Sequence, residues 1–156
     1  NEAIDWIGGP EAISAGVLVH LAGEINGIML SVQQLEYVNL VLSRTVGRQV
    51  SDYEQLNELD SSALVEVGNI LISTFINALS GLAGITVTPS VPAFAVDMQG
   101  ALLTVPMAIY GGQSDYIMTI GADFLCEEKA VPCRLLLSPD IRSLNFLLKK
   151  LGVLDE

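Results

Sequence analysis

Charged side chains are scarce in this sequence, and basic ones are scarcer still. Only 16% of the residues are charged, with 7 lysines and arginines against 18 aspartates and glutamates, so the formal net charge is -11. A chain with so few cations cannot replace the counterions around phosphates, which argues against nucleic acid and anionic membranes as partners. The natural complement is a basic protein face. Since 51% of the residues are hydrophobic, disorder is excluded as well.

Histidine and cysteine are also rare. The single histidine, His20, lies in a strand-like apolar run, and one histidine cannot form a histidine metal cluster. Cys126 and Cys133 are too few for a disulfide framework and have no metal-ligand companions. We therefore interpret them as reduced thiols near a hairpin turn, and we expect no metal or other cofactor of the chain's own.

One long segment, residues 67–96, contains no charge and is long enough to span a bilayer. Asparagines, glycines and prolines interrupt it, and its pattern changes midway from helix-like to strand-like. We therefore predict a buried helix that leads into a buried strand, with no membrane insertion. No signal peptide is visible after Asn1, so we expect a cytoplasmic protein whose native start lies further upstream.

A strand pair followed by a helix is predicted early in the chain. Residues 16–21 alternate like a strand, and residues 27–30 return as a second strand after a glycine-containing turn. Ser31 with Gln34 has the spacing of a capping box, which predicts a helix that Gly47 ends.

The same plan recurs about a hundred residues later. Residues 116–120 and 133–137 are strand candidates, and Ser138 with Pro139 predicts the start of a helix that Gly152 ends. The matching order of strands and capped helices predicts an internal duplication.

The longest helical pattern covers residues 61–82. Asp60 or Ser61 can cap its start, and Gly81 and Gly84 can end it. Its apolar residues fall on one face, which predicts an amphipathic core helix. These residues are Leu64, Val67, Gly68, Leu71, Phe75, Ala78 and Leu82.

The opposite face of this helix carries small polar side chains within about 80° of one another. They are Ser62, Glu66, Asn69, Ser73 and Asn77. Such a strip is either merely solvated or functional. An ordinary solvated face would be rich in lysine, arginine and glutamate, whereas serine and asparagine are poor helix formers. A carboxylate and a carboxamide one turn apart also project side by side, so they can enter one cleft together.

These residues carry a family resemblance. Ser62-x-x-x-Glu66-x-x-Asn69, followed after 22 residues by Pro92, resembles the signature of the CheC, CheX and FliY phosphatases. The likeness extends over about residues 15–152 and is greatest to CheC. Three further segments carry it: residues 63–70, 89–93 and 97–98.

The resemblance implies an α+β fold, in which a duplicated α/β domain packs long helices on a mainly antiparallel sheet. It implies one CheC-like domain over residues 1–156, with the long helix of the first repeat missing before residue 1, so the number of sites stays open. It also implies chemotaxis protein phosphatase activity on the aspartyl phosphate of CheY, whose magnesium belongs to the partner. CheD is a possible second partner, and the chain is expected as a monomer or homodimer.

The resemblance assigns catalysis to Glu66 and Asn69, with Ser62, Ser73 and Pro92 as supporting residues. A neutral amide can orient a water beside an anionic phosphoryl group, so we hypothesise this role for Asn69. Glu66 either pairs with a lysine of the regulator or acts as general base, and an exposed glutamate is a weak base.

Two other classes of function stay open. The chain is an adaptor without turnover if the same helix face, or the late helix over residues 140–151, only binds CheD or a flagellar switch protein. A hydrolase with its own metal is disfavoured, since no carboxylate or histidine cluster accompanies Glu66.

Overall fold

The computed structural model describes residues 9, 11–102, 118–126 and 129–154. A six-stranded sheet with helices forms this part of the chain. The elements are β1 (Ile13–Gly23), β2 (Gly27–Gln33), α1 (Leu35–Thr45), a 3-10 turn (Tyr53–Gln55), α2 (Glu58–Ala83), β3 (Val87–Pro89), β4 (Ala93–Met98), β5 (Met118–Cys126), β6 (Lys129–Pro139) and α3 (Ile141–Lys150).

The sheet is antiparallel throughout its described pairings, in the order β3–β1–β2–β6–β5, and β4 also pairs with β1. β3 lies beside the end of β1 and β4 beside its start, so together they form one interrupted edge. The predicted α+β class is confirmed. Residues 116 and 117 of one predicted strand lie outside the described residues.

The central pairing of β2 with β6 has the symmetry of a repeated unit. Residues 28–31 correspond to residues 135–138 in the sequence, and the two segments pair with each other. The first residue of each segment pairs with the last residue of the other segment, as a local twofold axis requires. The pairs are Ile28 with Ser138, Met29 with Leu137, Leu30 with Leu136, and Ser31 with Leu135. Each of the two strands also belongs to a hairpin that precedes a helix.

Both predicted serine caps are wrong. Ser31 and Ser138 are buried within β2 and β6, because these strands continue pairing to their ends instead of yielding to a helix. α1 begins after Gln34, which makes no side-chain cap bond. α3 begins after Asp140, whose side chain accepts a hydrogen bond from the Ser143 N–H at 2.7 Å. The two helices therefore begin four and three residues after the predicted caps, at Leu35 and Ile141.

α2 packs one face on the sheet, and this inner face differs in part from the predicted one. Leu64 and Gly68 are buried as predicted, whereas Ala78 and Leu82 are exposed. The buried positions recur mainly every fourth residue, so the stripe turns by about 40° at each step around the helix. The helical-wheel prediction assumed a straight apolar stripe along the helix, so it missed this gradual rotation of the buried face. The buried residues are Asp60, Leu64, Gly68, Ile72, Ile76, Leu79 and Ala83.

Two buried clusters hold α2. The cluster under its second half contains Ile72 with Val17, Leu137 and Leu147. The other lies under its first half and joins it to α1 and β6, through residues that include Tyr37, Leu42, Leu64 and Cys133.

Among the described helices, α2 is long and apolar enough to cross a membrane by length and composition alone. Its inner face packs on the sheet, and 28% of its most apolar 18-residue window is buried. The predicted change from helix to strand within residues 67–96 is confirmed, since α2 ends at Ala83 and β3 begins at Val87. The predicted burial of the strand is wrong, because β3 and β4 form an edge of the sheet and their residues are half-buried or exposed.

Candidate functional site

The start of α2 is fixed by a capping box and an ion pair. The Asp60 N–H donates to Oδ1 of Asn57 at 2.9 Å, and the Asn57 N–H donates to Oδ2 of Asp60 at 3.0 Å. Nε of Arg48 lies 3.2 Å from the same carboxylate oxygen. The sequence prediction of Asp60 or Ser61 as the cap is therefore wrong, because Asn57 caps the helix one turn earlier.

Gly68 brings the middle of α2 against the sheet. A Cβ atom there would lie 2.9 Å from Nε2 of Gln33 and 2.9 Å from Cγ2 of Val17, closer than side-chain atoms tolerate. Gln33 also donates from Nε2 to the Leu64 carbonyl at 3.4 Å. The turns of α2 that bear the candidate motif therefore lie at a fixed height above β1 and β2.

Gln33 is a positioning residue that the sequence analysis missed. Its side chain is 0% exposed, its amide contacts α2, and its own carbonyl accepts a hydrogen bond from the Tyr53 hydroxyl at 3.1 Å. The available signal was a second polar residue, after Ser31, at the end of a mainly apolar strand.

The polar strip lies on the outward side of α2. Ser62 and Glu66 are exposed, while Asn69 and Ser73 are half-buried. Glu66 and Asn69 differ in direction by about 60° and are about 4.5 Å apart along the helix axis, so one partner surface can contact both. Within the described part of the chain, no hydrogen bond or ion pair engages either side chain. The predicted shared face of these four residues is confirmed, whereas their roles stay predictions.

Pro92 lies in the interruption between β3 and β4. Ser90 closes this interruption on β1: its N–H donates to the His20 carbonyl at 2.8 Å, and its hydroxyl accepts from the His20 N–H at 2.9 Å. Proline has no N–H for a strand ladder, so it suits such a break. Pairing resumes after it, and Phe94 then lies opposite Val17, the residue that contacts Gly68. Pro92 is therefore connected to the inner side of α2 only indirectly, through Phe94 and Val17.

The polar strip is an open helix face. A cavity of about 270 Å³ occurs elsewhere, and none of its lining residues belongs to α2: Glu36, Asn39, Leu40, Ser43, Gln49 and Val131. The described residues contain no group of three or more His, Cys, Asp or Glu side chains that would suit a metal ion. An exposed helix face fits the surface of another macromolecule better than it fits a small ligand, which needs a concave pocket.

Cys133 belongs to the core and not to the strip. It is a free thiol, and burial raises its pKa although Arg134 and Ser31 act in the opposite direction. Burial also raises the pKa of Tyr37, with a smaller contribution from Cys133. A buried thiol with a raised pKa is unreactive, so Cys133 has a structural role under α1.

The structure thus combines an antiparallel sheet with a long helix that presents an acid and an amide outward. Comparisons with known proteins point to the CheC-like proteins. Residues 59–96, which include Glu66, Asn69 and Pro92, match the CheC-like family. Aligned over 156 residues, the chain is 25% identical to the CheY-P phosphatase CheC of Bacillus subtilis (strain 168), covering 97% of this chain and 75% of that protein.

Solved structures share the fold. Thermotoga maritima FliY superposes with a TM-score of 0.67 at 20% identity, covering 90% of this chain and 73% of that one. A chain of the CheX-CheY-BeF3-Mg+2 complex from Borrelia burgdorferi gives a TM-score of 0.54 at 21% identity, covering 85% and 80%. The resemblance to the CheC, CheX and FliY proteins is thus confirmed.

Proposed function

We propose that this chain hydrolyses the aspartyl phosphate of a CheY-type response regulator in the cytoplasm. The observation that carries the proposal is the pair of Glu66 and Asn69, which stand free on the outward side of α2 while Gly68 holds the same turns on the sheet. Its similarity to a CheY-P phosphatase, and to a chain from a complex that contains CheY, supports the choice of substrate.

The reaction asks for placement of one water. In the proposed step, the water oxygen attacks phosphorus, the bond between phosphorus and the aspartate oxygen breaks, and the aspartate leaves as a carboxylate. The attacking water loses a proton to solvent, and inorganic phosphate is released. An acyl phosphate is already reactive, and the regulator holds its own magnesium, so the phosphatase needs no cofactor. Positioning and electrostatics supply most of the acceleration in such reactions.

Asn69 is the residue that orients the water. Its amide oxygen accepts a hydrogen bond from the water, and the amide adds no negative charge beside the phosphoryl group. Because Asn69 is half-buried, its side chain has less freedom than a fully exposed one and costs less to hold in one orientation. A carboxylate at this position would repel the phosphoryl oxygens.

Glu66 is the residue that docks the regulator. It is exposed and lies one turn before Asn69, so a lysine at the rim of the phosphorylation site would fix the approach of the amide. General-base action is the alternative role. Substitution by glutamine separates the two, because a glutamine still accepts hydrogen bonds but can neither pair as an anion nor take a proton.

The supporting residues do not contact the water themselves. They shape the surface around the motif and the edge strand behind it. Ser62 and Ser73 place small hydroxyls beside the motif, which leaves room for a partner surface to reach Glu66 and Asn69. Pro92 ends the pairing of one edge segment before the next begins behind α2.

The test is the decay of the phosphorylated regulator with wild-type chain and with single variants. We expect Asn69→Ala to lower turnover by about a hundredfold, the size of effect that loss of positioning produces. We expect Glu66→Ala to weaken regulator binding by about tenfold, as the loss of one charge-assisted contact does. Asn145→Ala is the matched control, since it removes the same side chain from an exposed helical position on α3, outside the polar strip.

The Kd, its salt dependence and the saturating turnover of the Glu66→Gln variant then distinguish docking from general-base action. Docking predicts weaker binding whose salt dependence disappears, with turnover retained at saturation. An unchanged decay rate with wild-type chain, in the presence of measurable binding to CheD or a flagellar switch protein, would replace the phosphatase with the adaptor.

A further inference from the structure

Two large aliphatic side chains stand in solvent on α2 close to the candidate motif. Leu59 is 64% exposed and Ile70 is 57% exposed. Single exposed aliphatic residues are ordinary on protein surfaces. These two differ because they belong to the same side of one helix and because Ile70 directly follows Asn69.

Leu59, Glu66 and Ile70 form a line that we name the outer ridge. Leu59 and Ile70 are three helical turns apart, so their directions differ by only about 20° and their positions by about 16 Å along the axis. Glu66 lies between them and within about 40° of both. Asn69 projects on the other side of Glu66 from Ile70. The outer ridge therefore runs beside the amide and does not cover it.

The charge on this helix selects the partner. α2 contains no lysine or arginine, and its acidic residues are Glu58, Asp60 and Glu66. Asp60 is buried against Arg48, so the exposed charges on α2 are both negative. A second copy of this chain would place like charges face to face, which is unfavourable with a net charge of -11.

We infer that Leu59 and Ile70 are the apolar contacts of the regulator-binding surface, on either side of the charge pair made by Glu66. The fitting partner presents aliphatic surface flanking a lysine or arginine next to its aspartyl phosphate. Interface cores of this kind combine apolar anchors with few, well-placed charges. The inference rests on the proposed function for the identity of the partner. Ile70 is the principal anchor, because it is the closer of the two to Glu66 and Asn69.

Two measurements on each variant test the outer ridge. The first is the Kd for regulator activated with beryllofluoride and magnesium, and the second is the dependence of dephosphorylation rate on regulator concentration. We expect Ile70→Ser to raise both the Kd and the half-saturating concentration by about tenfold, and Leu59→Ser by about threefold. Turnover at saturation should change by less than about twofold in either variant, since neither side chain orients the water.

The matched control is Leu82→Ser. Leu82 is 77% exposed on the same helix but points about 140° away from Leu59, so its loss should leave the Kd unchanged within about twofold. Replacement of Ile70 by valine should restore most of the affinity, because a smaller aliphatic group still fills the contact. Circular dichroism of each serine variant verifies that α2 is intact.

The outcomes separate the inference from the proposed function. Wild-type affinity in Ile70→Ser, together with turnover that Asn69→Ala abolishes, would overturn the outer ridge and leave the phosphatase standing. Binding that Ile70→Ser weakens, without any turnover by the wild-type chain, would support the outer ridge and overturn the phosphatase. Absence of binding by the wild-type chain would overturn both.

Discussion

The two faces of α2 meet different neighbours and follow different rules. On the inner face, Leu64, Gly68 and Ile72 are buried against the sheet, and Gly68 leaves no room for a further atom. On the outward face, Glu66 and Asn69 engage no described hydrogen-bond partner. Packing explains the residues of the inner face. Packing within the fold does not explain the small polar residues of the outward face. We therefore attribute them to contact with a binding partner.

Gly68→Val is the change with the largest expected effect on stability. Its methyl groups would overlap Val17 and Gln33, and such overpacking costs about 2–3 kcal/mol. Chemical unfolding monitored by circular dichroism should show a lower midpoint at an unchanged slope. The displaced helix should also lose dephosphorylation activity, because Glu66 and Asn69 are fixed through the same turns.

Gly81→Ala is the control on the exposed side. Gly81 lies in the same helix, and a Cβ atom there would contact nothing within 4 Å. Alanine should therefore raise the free energy of unfolding by about 0.5–1 kcal/mol through helix propensity. If Gly68→Val and Gly81→Ala changed stability in the same direction, the close approach of α2 to the sheet would not be the determining factor.

Asp60→Ala should have the next largest effect. It removes the carboxylate that accepts from the Asn57 N–H and pairs with Arg48, at a site that is 0% exposed. Because Arg48 is 40% exposed and can be hydrated, we expect a loss of about 1–2 kcal/mol, less than for a fully buried pair. Glu58→Ala, an exposed carboxylate in the same turn, should change stability by less than about 0.5 kcal/mol. Equal losses from both would contradict a specific role for the buried carboxylate.

The repeating plan of the fold could be predicted because it depends on local patterns. Alternation located β1, and helical periodicity followed by glycine located α1 and α3. The predicted caps were wrong at Ser31 and Ser138 because local hydrogen-bonding preference favours a cap, while the sheet stabilises longer strands through β2 and β6. That pairing joins segments far apart in the chain, so local sequence patterns cannot predict it.

The candidate site could be predicted in part for a related reason. Ser62, Glu66 and Asn69 share a helix face whatever the helix packs against, so spacing alone was sufficient to predict the shared face. The assignment of a site to that face came from the family resemblance. Gln33 reaches α2 only through tertiary contacts, and Ile70 is recognised as exposed only once the drift of the buried stripe is known. Periodicity predicts which residues share a face, but long-range packing determines which face is covered.

Ser73→Ala removes a hydroxyl from the outward face of α2 and should have the smallest effect on stability. No described hydrogen bond engages the Ser73 side chain, and alanine is the better helix former, so the free energy of unfolding should rise by up to about 0.5 kcal/mol. If the hydroxyl supports the water-positioning site, the dephosphorylation rate should fall by about twofold to threefold in the same protein. A gain in stability with a loss of rate would identify a residue retained for activity at the cost of stability. A decrease of more than about 1 kcal/mol in the free energy of unfolding would instead show that Ser73 contributes to packing. Ser73 would then belong to the inner face of α2 and not to the outward face.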